Sequence, residues 1–284
     1  MLKMKKNEDV TKEQLQEELE KTKEELSVQK WASEKTSIGL NDFLKDLQEN
    51  NQSLLELNKL KDDFLAVTTH ELKTPLMPIK SQAQLLFAGD YGELNQEQKK
   101  AVEMIVRNVD ILNTLTGEVL DIVRIKSNKL TLVLEMVDLG SIVTDTVNNF
   151  KPLAEKNHIT LSLSMLPEIP QMKLDKLKIE QAMNNFLDNA IKFTPENGKI
   201  SIGVTKSDDE VTVSVKDTGI GMKVETIPQL FTPFFQVDNS VTRKYRGTGL
   251  GLPIAKGIIE AHGGKLWAES AGEGRGSTFI FTVP

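Results

Sequence analysis

MNNFLDNAIKF, residues 183–193, carries two textures at helical spacing. Phe186, Leu187, Ala190 and Ile191 fall on one side of a helix, and Asn185, Asn189 and Lys192 on the other. Two carboxamides and an ammonium on one face suit a metal–phosphate group. A carboxamide oxygen can ligate Mg²⁺, and a lysine can neutralise phosphate oxygens. The same face also suits plain solvent exposure on an amphipathic helix. The neighbouring sequence decides between the two.

DTGIGM, 217–222, follows the strand-like VTVSVK. Asp217 stands at the strand end, where a carboxylate can accept from an amino group, and Gly219 and Gly221 let the backbone approach a flat ligand. RGTGLGLPIAKGIIEAHGG, 246–264, places Gly247, Gly249 and Gly251 just before a helix, presenting N–H groups and a positive dipole end to anions. It is not the dinucleotide fingerprint, because G-x-G-x-x-G would need glycine where Leu252 stands. No G-x-x-x-x-G-K-[ST] occurs either. The residues between these elements, 223–245, include FTPFF, 231–235, and read as a lid or as core.

Upstream the texture is helical. Residues 9 to about 88 hold no proline before Pro75 and read as one long helix. Leu15, Leu19, Leu26, Leu40, Phe43, Leu47, Leu54, Leu57 and Phe64 keep a 4,3 spacing, with polar positions at 29–36, while Leu40, Leu44, Leu47, Leu54 and Leu65 mark a second register. A parallel coiled coil with two close registers follows, or a single solvated helix. GDYGELN, 89–95, ends it. A second helix from about Gln96 to Ser127 carries the stripe Val102, Ile105, Val109, Leu112, Leu115, Val119, Ile122 and Ile125. Two such hairpins make a four-helix bundle, so a homodimer is expected. After Leu130, strand-like alternation at 130–137, 159–163, 200–204, 211–215, 265–269 and 278–283 mixes with helical patterns at 139–156, 176–192 and 250–262. That is an α+β sandwich, a sheet with helices on one face.

FLAVTTHELKTPL, 64–76, sets His70 beside Glu71 inside the first helix, with Pro75 and Pro78 following five and eight residues later. Neither proline can donate to the carbonyl four residues back, so the sequence predicts a helix able to bend near His70. Composition narrows the function. A net charge of −6 and a pI of 5.3 argue against a nucleic-acid binder. The absence of cysteine excludes disulfides and thiolate chemistry. No apolar run reaches membrane-spanning length and the N-terminus lacks a secretory h-region, so this chain is expected in the cytoplasm without membrane insertion. His158 and His262 have no partner motif and read as structural, and three scattered histidines make no metal cluster.

In order and spacing these stretches resemble the N, G1, F and G2 boxes of sensor histidine kinases of two-component systems. FLAVTTHELKTPL resembles the H box, whose core is His-Glu-x-x-Thr-Pro. The resemblance covers about residues 60–284. It implies a coiled-coil signalling helix (9–61), a dimerisation and histidine phosphotransfer domain (62–129) and a catalytic ATP-binding domain of the Bergerat (GHKL) type (130–284). Position by position, His70 is similar to the phosphoacceptor, Glu71 to its base, and Thr74 to the residue that orients water for dephosphorylation. Asn189 is similar to the Mg²⁺ ligand, with Asn185 beside it and Lys192 on phosphate. Asp217 is similar to the adenine-amino acceptor, with Gly219 and Gly221 shaping the base pocket and Gly247, Gly249 and Gly251 the phosphate side. Pro253 stands where serine is frequent in the family; proline is tolerated in a first helical turn. The implied activity is ATP-dependent autophosphorylation of His70 and transfer to an aspartate of a separate response regulator receiver domain, with phosphatase activity towards it. A neutral imidazole fits this chemistry, since one nitrogen can attack phosphorus while a carboxylate holds the other proton. Related ATPases of the Hsp90, MutL and gyrase types carry glutamate where Asn185 stands. Asparagine cannot take a proton from water, which separates this chain from them. A coiled-coil scaffold with a degenerate nucleotide domain is the alternative from another class.

Overall fold

The computed structural model describes residues 2–166, 169–207, 210–236 and 247–284, with the side chains of 2–13, 32–34, 36–42 and 46 left aside. The side chain of the expected seam residue Leu40 and the part of the expected lid after Gln236 lie outside that description. Its elements are α1 (Leu2–Ala88), α2 (Gln96–Lys126), β1 (Glu135–Asp138), α3 (Leu139–Lys156), β2 (Thr160–Met165), β3 (Gln171–Leu174), α4 (Lys176–Phe193), β4 (Lys199–Lys206), β5 (Val211–Asp217), a 3₁₀ segment (Val224–Gln229), α5 (Gly251–Ala261), β6 (Lys265–Glu269) and β7 (Thr278–Val283). Two units follow from packing, Met1–Lys61 and Asp62–Pro284. No described helix is long and apolar enough to cross a membrane.

The first unit is helix alone. The described seam leucines lie open: Leu19, Leu26 and Leu54 are 55%, 65% and 60% exposed. The second unit opens with an antiparallel hairpin of α1 and α2. Helix α1 runs through Pro75 and Pro78 as one assigned helix. Asn95 starts α2 through a capping box with Gln98, which satisfies two backbone donors reciprocally. Lys80 Nζ meets Asp110 Oδ1 at 2.6 Å and fixes the hairpin register. The α2 stripe divides. Val102 and Val109 are buried within the chain, whereas Ile105 and Leu112 are each 46% exposed.

The remainder is a five-stranded sheet of order β2-β4-β5-β7-β6, with β2 parallel to β4 and every other pair antiparallel. Alternation explains its single covered face. Ile200, Ile202 and Val204 of β4 and Val211, Val213 and Val215 of β5 point into the core shared with α3, α4 and α5. Phe186 of α4 stacks between Phe279 and Phe281 of β7, ring centroids 6.0 and 5.8 Å away. Two expectations change. The strand expected at 130–137 is only Glu135–Asp138, because Val133 spends its N–H on the Asp175 carboxylate at 2.9 Å. That strand does not join the main sheet. It pairs with β3, a four-residue strand the sequence pattern did not reveal.

Candidate functional site

The core sets the rotation of α4. Asp175 caps it through the Lys178 N–H at 3.1 Å, and Ile179, Met183, Phe186 and Leu187 are wholly buried on its sheet side. The opposite side then presents Asn185, Asp188, Asn189 and Lys192 to a cavity of about 320 Å³. Asp217, Ile220, Met222 and Phe279 line one end of it. Gly247, Thr248, Gly249 and Gly251, which lead into α5, line the other with Gln236. The Gln236 carboxamide donates to the Gly247 carbonyl at 2.7 Å. No side chain caps α5 at Leu250, so its first-turn N–H groups keep no side-chain acceptor.

Asp217 is 4% exposed. Its Oδ1 accepts from the N–H of Gly219 at 2.7 Å and of Ser277 at 3.2 Å, which pins the carboxyl plane. Burial pushes this carboxyl above the usual carboxylate range, against the pull of those backbone donors. Burial likewise lowers Lys192, which Asp188 partly offsets. Close approach accounts for the glycines. A Cβ on Gly219 would strike the Phe193 carbonyl, one on Gly247 would lie 2.8 Å from Lys192 Nζ, and one on Gly251 would lie 2.8 Å from Asn185 Oδ1. Gly221 and Gly249 also have φ of 61° and 72°, where a side chain is strained. The Asn185 and Asn189 oxygens and the free α5 N–H groups form a hard-oxygen and anion-donor set that fits a Mg²⁺–phosphate group.

FTPFF serves several purposes. Phe231 packs against the core, Phe235 lines the cavity, and Phe234 is 68% exposed at φ 65°. His70, Glu71 and Thr74 lie exposed on α1, and the Thr74 hydroxyl donates to the His70 carbonyl at 3.1 Å. None of the three lines the cavity. The Lys80–Asp110 bond places them, however. His70 precedes Lys80 by ten residues and Glu118 follows Asp110 by eight. At a rise of 1.5 Å per residue, His70 and Glu118 are level along the hairpin to within about 3 Å.

Glu118 and Asp188 are the charged lining residues that the sequence reading did not single out. Asp188 sits inside the quoted 183–193 stretch. Glu118 comes from α2, and no local pattern marks it. Burial raises the Glu118 carboxyl, a bond from the Thr248 hydroxyl lowers it, and Asp121 and Asp188 raise it further. Around it α2 is fastened to the sheet domain. Lys178 Nζ lies 3.1 Å from Asp121 Oδ1, and the Gln181 amide donates to Asp121 Oδ2 at 2.6 Å. His262 is structural, as expected: its Nε2 accepts the Asp175 N–H at 2.9 Å, and its Nδ1 lies 2.8 Å from the Ile258 carbonyl. His158 occupies a left-handed turn at φ 56°.

Comparison with known proteins agrees with this geometry. Residues 60–128 match the His Kinase A (phospho-acceptor) domain family, and residues 174–284 match the histidine kinase-, DNA gyrase B- and HSP90-like ATPase family. The circadian input-output histidine kinase CikA of Synechococcus elongatus is 34% identical over 229 residues, which are 80% of this chain and 30% of that protein. The sensor histidine kinase WalK of Bacillus subtilis is 31% identical over 232 residues, 81% of this chain and 37% of that one. The chain thus spans about a third of the length of these relatives. The crystal structure of full-length ShkA in complex with AMPPNP superposes with a TM-score of 0.68 at 29% identity, over 78% of this chain and 45% of that one. Acinetobacter baumannii histidine kinase AdeS, at 23% identity and a TM-score of 0.54, shares the fold. With both modules matched in order, the chain belongs to the sensor histidine kinase family of two-component systems.

Proposed function

We propose that this chain is an ATP-dependent protein-histidine kinase that phosphorylates itself on His70. One observation carries the reading. A single cavity is lined by the buried Asp217 carboxylate and apolar side chains together with Asn185, Asn189, Lys192 and the glycines that lead into α5, and Glu118 of the adjoining hairpin lines it as well. Adenine enters between Ile220, Met222 and Phe279, and its amino group donates to Asp217, whose Oδ1 already has two backbone donors. Asn189 holds Mg²⁺ with Asn185 beside it, and the metal, when bound, neutralises phosphate oxygens. Lys192 and the N–H groups at Gly247, Gly249 and Gly251 orient the phosphate chain. One imidazole nitrogen of His70 attacks the γ-phosphorus as the bond to ADP breaks, and Glu71 holds the proton on the other nitrogen.

In this reading the exposed faces of α1 and α2 pair with a second copy into a four-helix bundle. The domains run 9–61, 62–129 and 130–284. The phosphoryl group passes to an aspartate of a separate response regulator receiver domain, and Thr74 directs water in the reverse, dephosphorylating role. The test is incubation with Mg²⁺ and γ-labelled ATP beside His70→Gln. Acid-labile, alkali-stable label on the parent alone supports the kinase. Nucleotide binding without label on either protein supports the scaffold reading instead.

A further inference from the structure

Glu118 belongs to the hairpin, yet it lines the nucleotide cavity. Its Oε2 is buried with no hydrogen-bond partner among the described residues, and Thr248 lies beside the carboxyl. A buried carboxylate oxygen facing only a cavity calls for an occupant or a change of state. Its position matters. Thr248 lies between Gly247 and Gly249, the glycines read above as the phosphate side, so Glu118 stands beside that side of the cavity. The charged side chains lining the cavity are then Glu118, Asp188, Asp217 and Lys192, three acids against one base among the described residues. Like charges in a partly desolvated site repel strongly. Two contacts hold Glu118 there: the Asp121 bonds to Lys178 and Gln181, and Ile125 against Gly257.

We propose that Glu118 is a specificity-determining residue that makes the docked arrangement select against the terminal phosphate of a nucleoside triphosphate. This inference rests on the nucleotide reading above. A diphosphate leaves the Glu118 end of the cavity free and is compatible with docking. A triphosphate brings its last phosphate towards the carboxylate and favours release of the sheet domain from α2. The hairpin residue thereby reports which nucleotide is bound and links that to the position of the domain relative to His70.

The experiment is calorimetric titration of the full chain with AMPPNP and with ADP, each with Mg²⁺, for the parent, Glu118→Gln and Asp121→Asn. Glu118→Gln is expected to raise AMPPNP affinity about fivefold or more while ADP affinity changes less than about twofold. Asp121→Asn lies outside the cavity and loosens docking, so it is expected to shift the AMPPNP-to-ADP ratio the same way. It carries the test if Glu118→Gln lowers the Tm. Equal gains for both nucleotides, or an unchanged ratio in both variants, overturn the selectivity while leaving nucleotide binding in place. Binding of neither nucleotide to any of the three proteins overturns the nucleotide reading itself, and this inference with it.

Discussion

His262 and Asp175 are 87 residues apart in sequence and joined by one buried bond, in which the Asp175 N–H donates to His262 Nε2 at 2.9 Å. The Nδ1 proton is directed to the Ile258 carbonyl at 2.8 Å, so the neutral ring acts as acceptor on one side and donor on the other. Asp175 in turn caps α4 and accepts the Val133 N–H, so one imidazole ties the end of α5 to the start of the site helix and to the chain leaving the hairpin. His262→Ala leaves the Asp175 N–H and the Ile258 carbonyl without this partner and opens a hole. A loss of about 2–4 kcal/mol is expected, read as a lower urea midpoint. Nucleotide affinity of the folded fraction should change far less than stability, since His262 does not line the cavity.

Asp217→Asn separates binding from stability. An asparagine oxygen can still accept from Gly219 and Ser277, but it is neutral and offers the adenine amino group a weaker acceptor. AMPPNP affinity should fall about 10- to 100-fold, with Tm unchanged or higher. The raised folded value sets the pH signs. Below the ordinary carboxylate range the group is protonated folded or unfolded and costs nothing. Stability falls as pH rises through the folded value and the buried charge forms. Binding runs the other way and weakens on acidification before an ordinary carboxylate would titrate. Affinities measured from about pH 4 to 8 should show that loss in the parent and a flatter curve in Asp217→Asn.

Gly257 is a docking contact rather than a nucleotide residue. A Cβ there would lie 2.7 Å from Ile125 Cδ1 on α2. Gly257→Ala favours helix by about 1 kcal/mol and should leave the sheet domain at least as stable as before. It should also loosen α2, seen as faster amide exchange around residues 118–126. Ile125→Ala in the same chain restores room. A double-mutant cycle on the exchange free energies should give a coupling of about 0.5–3 kcal/mol, and a coupling near zero would remove the contact from the docking surface.

Ile105 and Leu112 lie on the α2 stripe but remain half exposed in one chain. If a second copy covers them, Ile105→Glu with Leu112→Glu places carboxylates in the bundle core. Sedimentation velocity should then show monomer where the parent is dimer, with AMPPNP affinity within about twofold of the parent. A parent that sediments as monomer would exclude the bundle.

The sequence pattern carried most of the fold because the periodicities are local. Strands β6 and β7 and helix α3 begin and end where alternation and helical spacing place them, and α4 turns its asparagine face outward because Phe186 and Leu187 must turn inward. Strand β3 escaped notice because QMKL is too short for a period to register. The boxes containing Asp217 and the glycines were legible because a tight backbone approach restricts residue type. By itself, then, the sequence determined the elements, the motif residues and the chemical types at the cavity. Only the tertiary structure decided that α2 would dock on α4 and α5 and place Glu118 in the lining of the cavity. That choice rests on contacts between residues far apart in the chain, Asp121 with Lys178 and Ile125 with Gly257, and a one-dimensional period does not encode which surfaces meet.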